Sequence, residues 1–439
     1  MRRICLTLPT NRACPATIEA IGAEAVHAAE HFDVEVHLLI LDSCDTPTYE
    51  EHAAAVRRLP GHPRVVPHHL DEAGQKDFLE RTIGRADATK PELLLRLMLP
   101  DSLSYGACTN RAFLISFALG CESVHRRDSD SRYQVADGAP VFPIHHELTS
   151  LGRPAAEAAR SVSETELAPE HADRPVSMVG SSFIGPPSVD IDEIESIDGD
   201  VYHDVVSLWA PLDWSPEQKR ELVEESFRGA GSAAFDQDRT TLSLVDPMRV
   251  DMCNIAFHGV HGRVPLPPAT DTIGSDYFLI HLVYDAGLPG VLHNRNIVNF
   301  YTAERRTDQG FVAYQTRFAK FLLSMLYYNV VYDALGRAGD TLLDDEGHVR
   351  ARAVAELVRE STGVDTADNR ERLRRLDTAY RELGGRYADF ADHLAPHRDR
   401  LLDEARSDME DFALLTEEWE RLVRAARRTP VLNPVGEDR

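Results

Sequence analysis

Two aspartates one residue apart, Asp128 and Asp130, follow a run of residues that predicts a short helix and then a buried strand. Two carboxylates at the end of a strand can hold a divalent cation against a diphosphate, because Mg²⁺ and Mn²⁺ prefer carboxylate and water oxygens as ligands. A chain this rich in acidic residues contains several such pairs by chance. The pair therefore indicates a metal site only if other polar segments meet it at the same place in the fold.

Segments that could position this pair alternate between strand-like and helix-like patterns in the first part of the chain. Residues 4–8, 34–41 and 64–69 are typical of short strands, and helices are predicted between them. This alternation predicts an α/β fold with a mostly parallel, Rossmann-like sheet flanked by helices. Ligands of such sheets bind beyond the carboxyl ends of the strands, which is where Thr10, Asp42 and the aspartate pair are expected.

The chain changes character after Gln309, where successive helices are predicted. In two of these helices apolar residues recur at helical spacing and share one face. They are Leu373, Leu376, Tyr380 and Leu383 in the first and Phe412, Leu415, Trp419 and Leu422 in the second. We therefore predict an α/β domain over residues 1–305 and an α-helical C-terminal region over residues 306–439.

The overall composition argues against several classes of protein. Of the 439 residues, 43% are hydrophobic, which is enough for one large core or two moderate ones. The formal net charge of −25 argues against nucleic acid or a membrane surface as a partner. The six cysteines include no C-x-x-C pair, so free thiols in a reducing cytoplasm are expected. The longest apolar run is too polar to span a bilayer, and we expect a cytoplasmic protein.

A further polar segment lies between residues 270 and 293. Asp276 stands at the predicted start of a helix, residues 287–289 break that helix, and His293 ends the apolar strand that follows. The helix dipole is expected to lower the pKa of Asp276, so that an ionised carboxylate is available as a general base. A helix cap is the commoner use of such an aspartate, and a structural role is the commoner one for such a histidine.

With these segments in place, the chain resembles the GT-A glycosyltransferases, most nearly the broad inverting family with a single nucleotide-sugar-binding domain. Residues 8–12 are similar to the first strand of that family and its P-T-x-N-R end, and residues 39–43 are similar to its second strand. Residues 128–130 are similar to its D-x-D metal motif. The chain departs from the family at residues 110–111, where Asn-Arg reverses the usual order, and before Asp276, where serine replaces a second acid.

The resemblance implies a role for each matched residue. The residues implied in donor binding are Pro9, Thr10, Asn11, Arg12, Asp42, Asn110, Arg111, Arg127, Asp128 and Ser129. The implied metal ligands for Mn²⁺ or Mg²⁺ are Asp130 first, then Asp128 and His293. Asp276 takes the place of the catalytic base, and in-line attack opposite the leaving diphosphate would give inversion. The helical region would then serve packing, oligomerisation or acceptor binding.

The predicted function is that of a metal-dependent inverting glycosyltransferase that uses a UDP-sugar, with UDP-GlcNAc or UDP-glucose favoured. The predicted acceptor is a small molecule or a carrier-protein-bound intermediate of bacterial specialised metabolism such as antibiotic biosynthesis. The bacterial source is inferred from the scarcity of lysine relative to arginine. A homodimer through the helical region is one expectation for its assembly.

Two other classes of function stay open. A sugar-1-phosphate nucleotidyltransferase uses a similar sheet, but the glycine-rich loop usual after its first strand is missing at residues 9–12. A non-catalytic nucleotide-binding or assembly protein would use the helical region for its contacts. Pyrophosphate release from UTP and a sugar phosphate would distinguish the first of these classes from the glycosyltransferases.

Overall fold

The computed structural model describes residues 1–186, 191–300 and 307–431. The predicted alternation of strands and helices is confirmed in the first part of the chain. The strands are β1 (Arg2–Thr10), β2 (Val34–Asp42), β3 (Val65–Leu70), β4 (Ser123–Arg127), β5 (Ser131–Tyr133), β6 (Val135–Ala136), β7 (Ala139–Pro140), β8 (Glu164–Thr165), β9 (Met178–Gly180), β10 (Phe183–Ile184), β11 (Thr240–Ser243), β12 (Asn254–His258), β13 (Gly290–His293) and β14 (Ile297–Asn299). The helices are α1 (Pro15–His31), α2 (Thr46–Arg57), α3 (Glu72–Ala86), α4 (Pro91–Met98), α5 (Tyr105–Ala118), α6 (Ile144–Ser150), α7 (Ala155–Ala158), α8 (Ile191–Ile197), α9 (Gly199–Ser207), α10 (Pro216–Glu225), α11 (Phe278–Asp285), α12 (Asp308–Ala338), α13 (Ala351–Ser361), α14 (Ala367–Leu383), α15 (Gly385–Leu394) and α16 (Arg398–Ala426).

The elements that position the site belong to a large sheet, which among the described residues has nine strands in the order β3-β2-β1-β4-β12-β9-β13-β11-β8. Strands β1 to β4 run parallel, whereas β12 runs antiparallel to both β4 and β9. Thr10 pairs with Asp42 at the carboxyl ends of β1 and β2. The mostly parallel sheet with flanking helices confirms the predicted α/β class and is consistent with a GT-A-like fold.

Both faces of β1 are buried, which explains its almost continuous apolar sequence. Successive side chains of a strand point to opposite faces of the sheet. Leu6 and Leu8 therefore pack in one cluster with Ile18 and Ile21 of α1, while Cys5 packs in a second cluster on the other face. Because apolar layers cover both faces, polar chemistry is left to the ends of the strands.

Helices α12 to α16 form the predicted helical region and pack onto the α/β part of the chain. The ring centroid of Phe412 in α16 lies 4.7 Å from that of Phe278 in α11. Trp419 Nε1 donates a hydrogen bond of 2.9 Å to the carbonyl of His261. The predicted boundary between residues 305 and 306 lies outside the described residues, so the division into two domains stays a prediction.

The two apolar stripes of the helical region are buried within the chain. The buried members are Leu373, Leu376 and Tyr380 in α14 and Phe412, Leu415, Trp419 and Leu422 in α16. Packing inside the chain accounts for both stripes, so neither provides a free apolar surface for dimerisation. Within the described ranges, no helix is both long enough and apolar enough to cross a bilayer.

Candidate functional site

A cavity of about 760 Å³ opens at the carboxyl ends of β1 and β4. It is lined by residues 9–12, residues 128–130, Arg111 and Asp276, which come from four separate segments of the chain. Pockets that bind small molecules and cofactors typically measure about 300–1,000 Å³. The fold therefore gathers most of the predicted site residues around one cavity of a size that suits a small-molecule ligand.

The loop after β1 contacts the D-x-D loop through an ion pair. Arg12 Nη1 lies 2.9 Å from Asp130 Oδ2. Thr10 orients Arg12, because its Oγ1 donates to the Arg12 carbonyl at 2.9 Å and accepts from the Arg12 N–H at 3.3 Å. On the other side, Ser131 Oγ closes the turn by donating to the Asp128 carbonyl at 2.9 Å. The loops of two adjacent strands are thus held together at the cavity wall.

A buried arginine, Arg126, joins the D-x-D loop to Asp276. Its Nη2 lies 3.1 Å from Asp128 Oδ1, and its Nη1 donates to Asp276 Oδ2 at 3.0 Å. Nη1 also donates to the carbonyl of Met252 at 3.0 Å. One guanidinium therefore partners two carboxylates that are distant in the sequence, and it fixes the separation of the proposed metal loop from the proposed base.

The site carries more negative than positive charge around this arginine. The pKa of Asp128 is raised to about 6, by burial first and then by the carboxylates of Asp130, Asp251 and Asp276, while Arg126 acts in the opposite direction. Four carboxylates thus interact at the cavity, and two of them, Asp128 and Asp276, pair with Arg126. Such an excess of like charge favours a bound cation, which would relieve the repulsion between the carboxylates.

Asp276 lies in one turn of 3₁₀ helix, Ser275–Tyr277, ahead of α11. The expectation that a helix dipole lowers its pKa is wrong. Burial raises the pKa of Asp276 above its ordinary value and outweighs the opposite effect of Arg126. A single turn aligns few peptide dipoles, whereas the desolvation penalty acts on the whole carboxylate. A raised pKa makes the ionised group a better proton acceptor.

Asp251 lines the same cavity from the segment before β12. Its Oδ2 accepts a hydrogen bond from the hydroxyl of Tyr277, and its Oδ1 accepts from the N–H of Cys253 at 2.8 Å. Because Tyr277 directly follows Asp276 in the chain, this bond holds the 3₁₀ turn in place. Asp251 therefore supports the position of the proposed base.

Asp42 ends β2, but its side chain does not line the cavity, although the residues on either side of it do. Its Oδ2 accepts from His52 Nδ1 at 2.7 Å and from His69 Nε2 at 2.8 Å, and its Oδ1 accepts from the Cys44 N–H at 3.0 Å. Burial raises the pKa of Asp42, but these hydrogen bonds outweigh burial and lower it to about 2. The carboxylate thus has protein partners that a nucleoside would have to displace.

Asp42 also belongs to a group that could hold a metal ion. Within the described part of the chain, the ligand atoms of Asp42, Cys44 and His52 all lie within 4.8 Å of one another. His52 already uses both ring nitrogens, Nδ1 towards Asp42 and Nε2 as the acceptor for the Cys14 N–H at 2.9 Å. Burial raises the pKa of the Cys44 thiol, whereas the thiolate is the form that binds metals. We therefore interpret this group as a hydrogen-bonded network.

Helix α5 directs Asn110 and Arg111 to different partners. Arg111 lines the cavity, where its Nε donates to Gln75 Oε1 at 2.7 Å and its Nη1 donates to the Met98 carbonyl at 2.6 Å. Asn110 instead bonds to the backbone of Leu266 through both its amide nitrogen and its amide oxygen, each at 2.8 Å. Asn110 therefore anchors the helix, and Arg111 presents its charge to the cavity.

Arg127 and His293 are not brought to the cavity. The guanidinium of Arg127 pairs with Glu24 at 2.8 Å and with Glu147 at 3.0 Å, all three side chains being buried. His293 lies at the end of β13, where its Nδ1 accepts a hydrogen bond from the N–H of Arg295 at 3.2 Å. Neither side chain lines the cavity, so we do not carry their predicted donor and metal roles into the proposal below.

Comparisons with known proteins add a family assignment to this geometry. A family model described as "Family of unknown function (DUF6271)" matches residues 2–434. The chain belongs to this family. Among solved structures it is similar to the mannosyltransferase PcManGT from Pyrobaculum calidifontis in complex with GDP-Man and Mn²⁺, at 11% identity and a TM-score of 0.36, over 95% of this chain and 88% of that one. A search of curated proteins found no match.

The D-x-D loop of this DUF6271 chain offers a donor set that suits a divalent cation. Asp128 and Asp130 both line the cavity, and their side chains are 29% and 12% exposed. Oxygen donors alone suit Mg²⁺ or Mn²⁺ better than softer metals, which prefer nitrogen or sulfur. The residues present therefore fit the predicted cofactor.

Sequence reasoning missed two residues that organise this site, Arg126 and Asp251. Arg126 stands next to Arg127 in β4, and neighbouring side chains in a strand point to opposite faces. The sequence could have indicated that only one of the two arginines faces the site. No local signal marks Asp251, because it belongs to no motif and follows no strand.

Proposed function

We propose that the protein is a divalent-metal-dependent inverting glycosyltransferase that moves a sugar from a UDP-sugar, with UDP-GlcNAc or UDP-glucose favoured. The acceptor would be a small molecule or a carrier-bound intermediate, and bacterial specialised metabolism is the expected setting. The observation that carries this proposal is that Arg126 pairs with both Asp128 and Asp276 at a cavity that Asp130 also lines. It supports metal binding and proton acceptance within reach of a single ligand.

Asp130 and Asp128 would hold Mn²⁺ or Mg²⁺ at the wall of the cavity. Such an ion, when bound, stabilises the negative charge that develops on a leaving diphosphate. Arg12 contacts Asp130, and its guanidinium would donate to a phosphate oxygen when the carboxylate takes a cation. Arg111 adds a second positive charge to the lining of the same cavity. The site therefore offers both a carboxylate pair for the ion and guanidinium groups for the phosphates.

Asp276 would accept the proton of the acceptor hydroxyl as its oxygen attacks the anomeric carbon. Its ion pair with Arg126 keeps the carboxylate charged before the reaction, while its raised pKa favours taking up the proton. General base catalysis of this kind contributes ~10²- to 10⁴-fold to the rate. Attack opposite the leaving diphosphate would invert the configuration of the sugar.

The test is calorimetric titration of UDP, with GDP in parallel, in the presence and absence of Mn²⁺. The native chain is expected to bind UDP more tightly with Mn²⁺, and Asp130→Ala is expected to lose that dependence. A matched control is Asp204→Ala, which removes the same charge from a side chain that is 82% exposed and does not line the cavity. This control is expected to bind like the native chain.

Three results would overturn or correct the proposal. Absence of nucleotide binding in the native chain at millimolar ligand, with either metal, would remove the glycosyltransferase assignment altogether. Binding of GDP in place of UDP would keep the reaction type and correct the donor base. Equal Mn²⁺ dependence in the native chain and Asp130→Ala would move the metal away from the D-x-D loop.

A further inference from the structure

Three aromatic side chains line one part of the same cavity, and we call them the aromatic shelf: Trp209, Phe227 and Phe321. The ring centroid of Trp209 lies 5.7 Å from that of Phe227 and 5.5 Å from that of Phe321. Contacts at these distances are the usual aromatic packing geometries. The shelf is therefore one connected aromatic surface that faces the cavity.

Phe227 is held on the shelf at a cost to its backbone. Its φ angle is +62°, in the left-handed region that bulky side chains rarely adopt. Backbone strain of this kind persists only where the surroundings enforce it, and it clusters at ligand-binding and active sites. Phe227 lies two residues after the end of α10, and in this strained conformation its ring lines the cavity wall.

The helical C-terminal region positions the shelf. Phe321 belongs to α12 itself. The amide nitrogen of Asn329, also in α12, donates to the Trp209 carbonyl at 3.2 Å, and Arg372 of α14 donates to the carbonyl of the next residue, Ala210, at 3.0 Å. The helical C-terminal region therefore supplies one shelf residue, Phe321, and anchors the backbone of another, Trp209.

The shelf adjoins the segment that carries Asp276. Gly274 has a φ of +72°, and a Cβ atom placed on it would lie 2.8 Å from the ring of Phe321. Only glycine allows the backbone to pass this close to the ring, and the 3₁₀ turn with Asp276 begins at the next residue. The proposed base thus lies at the junction of the charged and the aromatic parts of the cavity.

We propose that the aromatic shelf binds the acceptor, and that the acceptor is a planar aromatic alcohol whose hydroxyl points to Asp276. This inference rests on the glycosyl transfer proposed above. In the reaction the acceptor oxygen forms a bond to the anomeric carbon, the bond from that carbon to the diphosphate oxygen breaks, and its electron pair leaves with the diphosphate. The proton of the hydroxyl passes to the carboxylate of Asp276.

The test uses 2-naphthol as the probe, because it is a flat fused ring with one hydroxyl. Its dissociation constant is measured by ligand-observed NMR on the full chain, without nucleotide. Trp209→Leu and Phe227→Leu are each expected to weaken binding at least fivefold. Trp214→Leu is the matched control, since Trp214 is 39% exposed and does not line the cavity, and it is expected to bind within twofold of the native chain.

Thermal unfolding of each variant is recorded first, so that only folded protein is compared. Decahydro-2-naphthol, which has the same carbon skeleton without aromatic rings, is expected to bind at least fivefold more weakly than 2-naphthol. Equal binding of the two alcohols, or equal binding by the native chain and both shelf variants, would overturn the inference.

The outcome is separable from that of the proposed function. If the native chain does not bind UDP, the glycosyltransferase assignment is lost. If 2-naphthol binding still depends on the shelf residues in that case, the shelf is an aromatic ligand site that does not serve glycosyl transfer. Normal Mn²⁺-dependent UDP binding together with shelf-independent 2-naphthol binding would leave glycosyl transfer in place and reject an aromatic acceptor.

Discussion

Arg126 Nη1 donates a 3.0 Å hydrogen bond to Asp276 Oδ2, and both side chains are less than a tenth exposed. This bond joins the end of β4 to the 3₁₀ turn before α11, two segments that the chain order keeps far apart. It also places a fixed positive charge between the proposed base and the D-x-D loop. We therefore expect this ion pair to stabilise the 3₁₀ turn and to favour the ionised form of Asp276.

Replacing Arg126 by methionine is expected to destabilise the fold by ~3 kcal/mol, because removal of one partner of a buried pair leaves carboxylates without compensation. Urea denaturation followed by circular dichroism measures the change. Arg352→Met removes an arginine whose side chain is 89% exposed, and it is expected to stay within about 0.5 kcal/mol of the native chain. Equal stability of the two variants would show that Arg126 does not hold the turn.

Asp276→Asn is expected to lower kcat by ~10²- to 10⁴-fold in the proposed transfer reaction, because the amide cannot accept the proton of the acceptor. Mn²⁺-dependent UDP binding is expected to persist, since the change lies outside the proposed metal pair. Asp271→Asn makes the same substitution in the preceding loop, at a side chain that does not line the cavity, and is expected to keep full activity. Unchanged turnover in Asp276→Asn would assign the base elsewhere.

Arg127→Met separates a structural arginine from a donor-binding one. Because Arg127 neutralises the buried carboxylates of Glu24 and Glu147, its loss is expected to cost about 3–5 kcal/mol of unfolding free energy. At a temperature where the variant stays folded, its affinity for UDP with Mn²⁺ is expected to match the native value within twofold. A large loss of UDP affinity in fully folded Arg127→Met would restore the donor-binding role that the sequence predicted.

Asp285 gives the protein a pH-dependent stability. Burial and, to a smaller extent, the nearby carboxylate of Asp333 raise its pKa from an ordinary value of 3.8 to about 7. The folded state therefore binds more protons than the unfolded state between about pH 4 and 7, so the stability contributed by protonation is present at low pH and is lost as pH rises through 7. Asp285→Asn is expected to raise stability at pH 8 by about 1 kcal/mol or more and to change little at pH 4.

Thermal unfolding of the native chain and Asp285→Asn across this pH range measures the difference. The melting temperatures of the two proteins are expected to converge towards pH 4 and to separate as the pH rises. A difference that is the same at pH 4 and pH 8 would mean that the carboxyl group does not titrate with folding.

Two glycines in helices are expected to respond in opposite ways to alanine. A Cβ atom at Gly106 in α5 would lie 1.9 Å from the Pro267 carbonyl oxygen, whereas one at Gly84 in α3 meets nothing within 4 Å. Gly106→Ala is therefore expected to destabilise by ~1–3 kcal/mol or more, because backbone atoms must move. Gly84→Ala is expected to stabilise by roughly 0.5–1 kcal/mol through a lower entropy of the unfolded chain. Urea denaturation of both variants tests the pair.

Local sequence patterns determined the elements of this protein. The residues Ser215 and Gln218 have the spacing of a capping box, and they form one at the start of α10 with both reciprocal hydrogen bonds. The alternation of apolar runs and amphipathic stretches predicted the α/β class, because side-chain periodicity is a property of neighbouring residues. The D-x-D loop follows β4 as predicted.

The tertiary structure alone decided which charged groups form the site. Of the adjacent arginines 126 and 127, the strand turns the first to the cavity and the second to Glu24 and Glu147, and only the neighbouring elements define those two faces. The raised pKa of Asp276 depends on burial by distant segments, which no local pattern encodes. The aromatic shelf likewise combines Trp209, Phe227 and Phe321 from three separate segments. Sequence determines local periodicity and caps, whereas desolvation and charge pairing arise only when distant residues pack together.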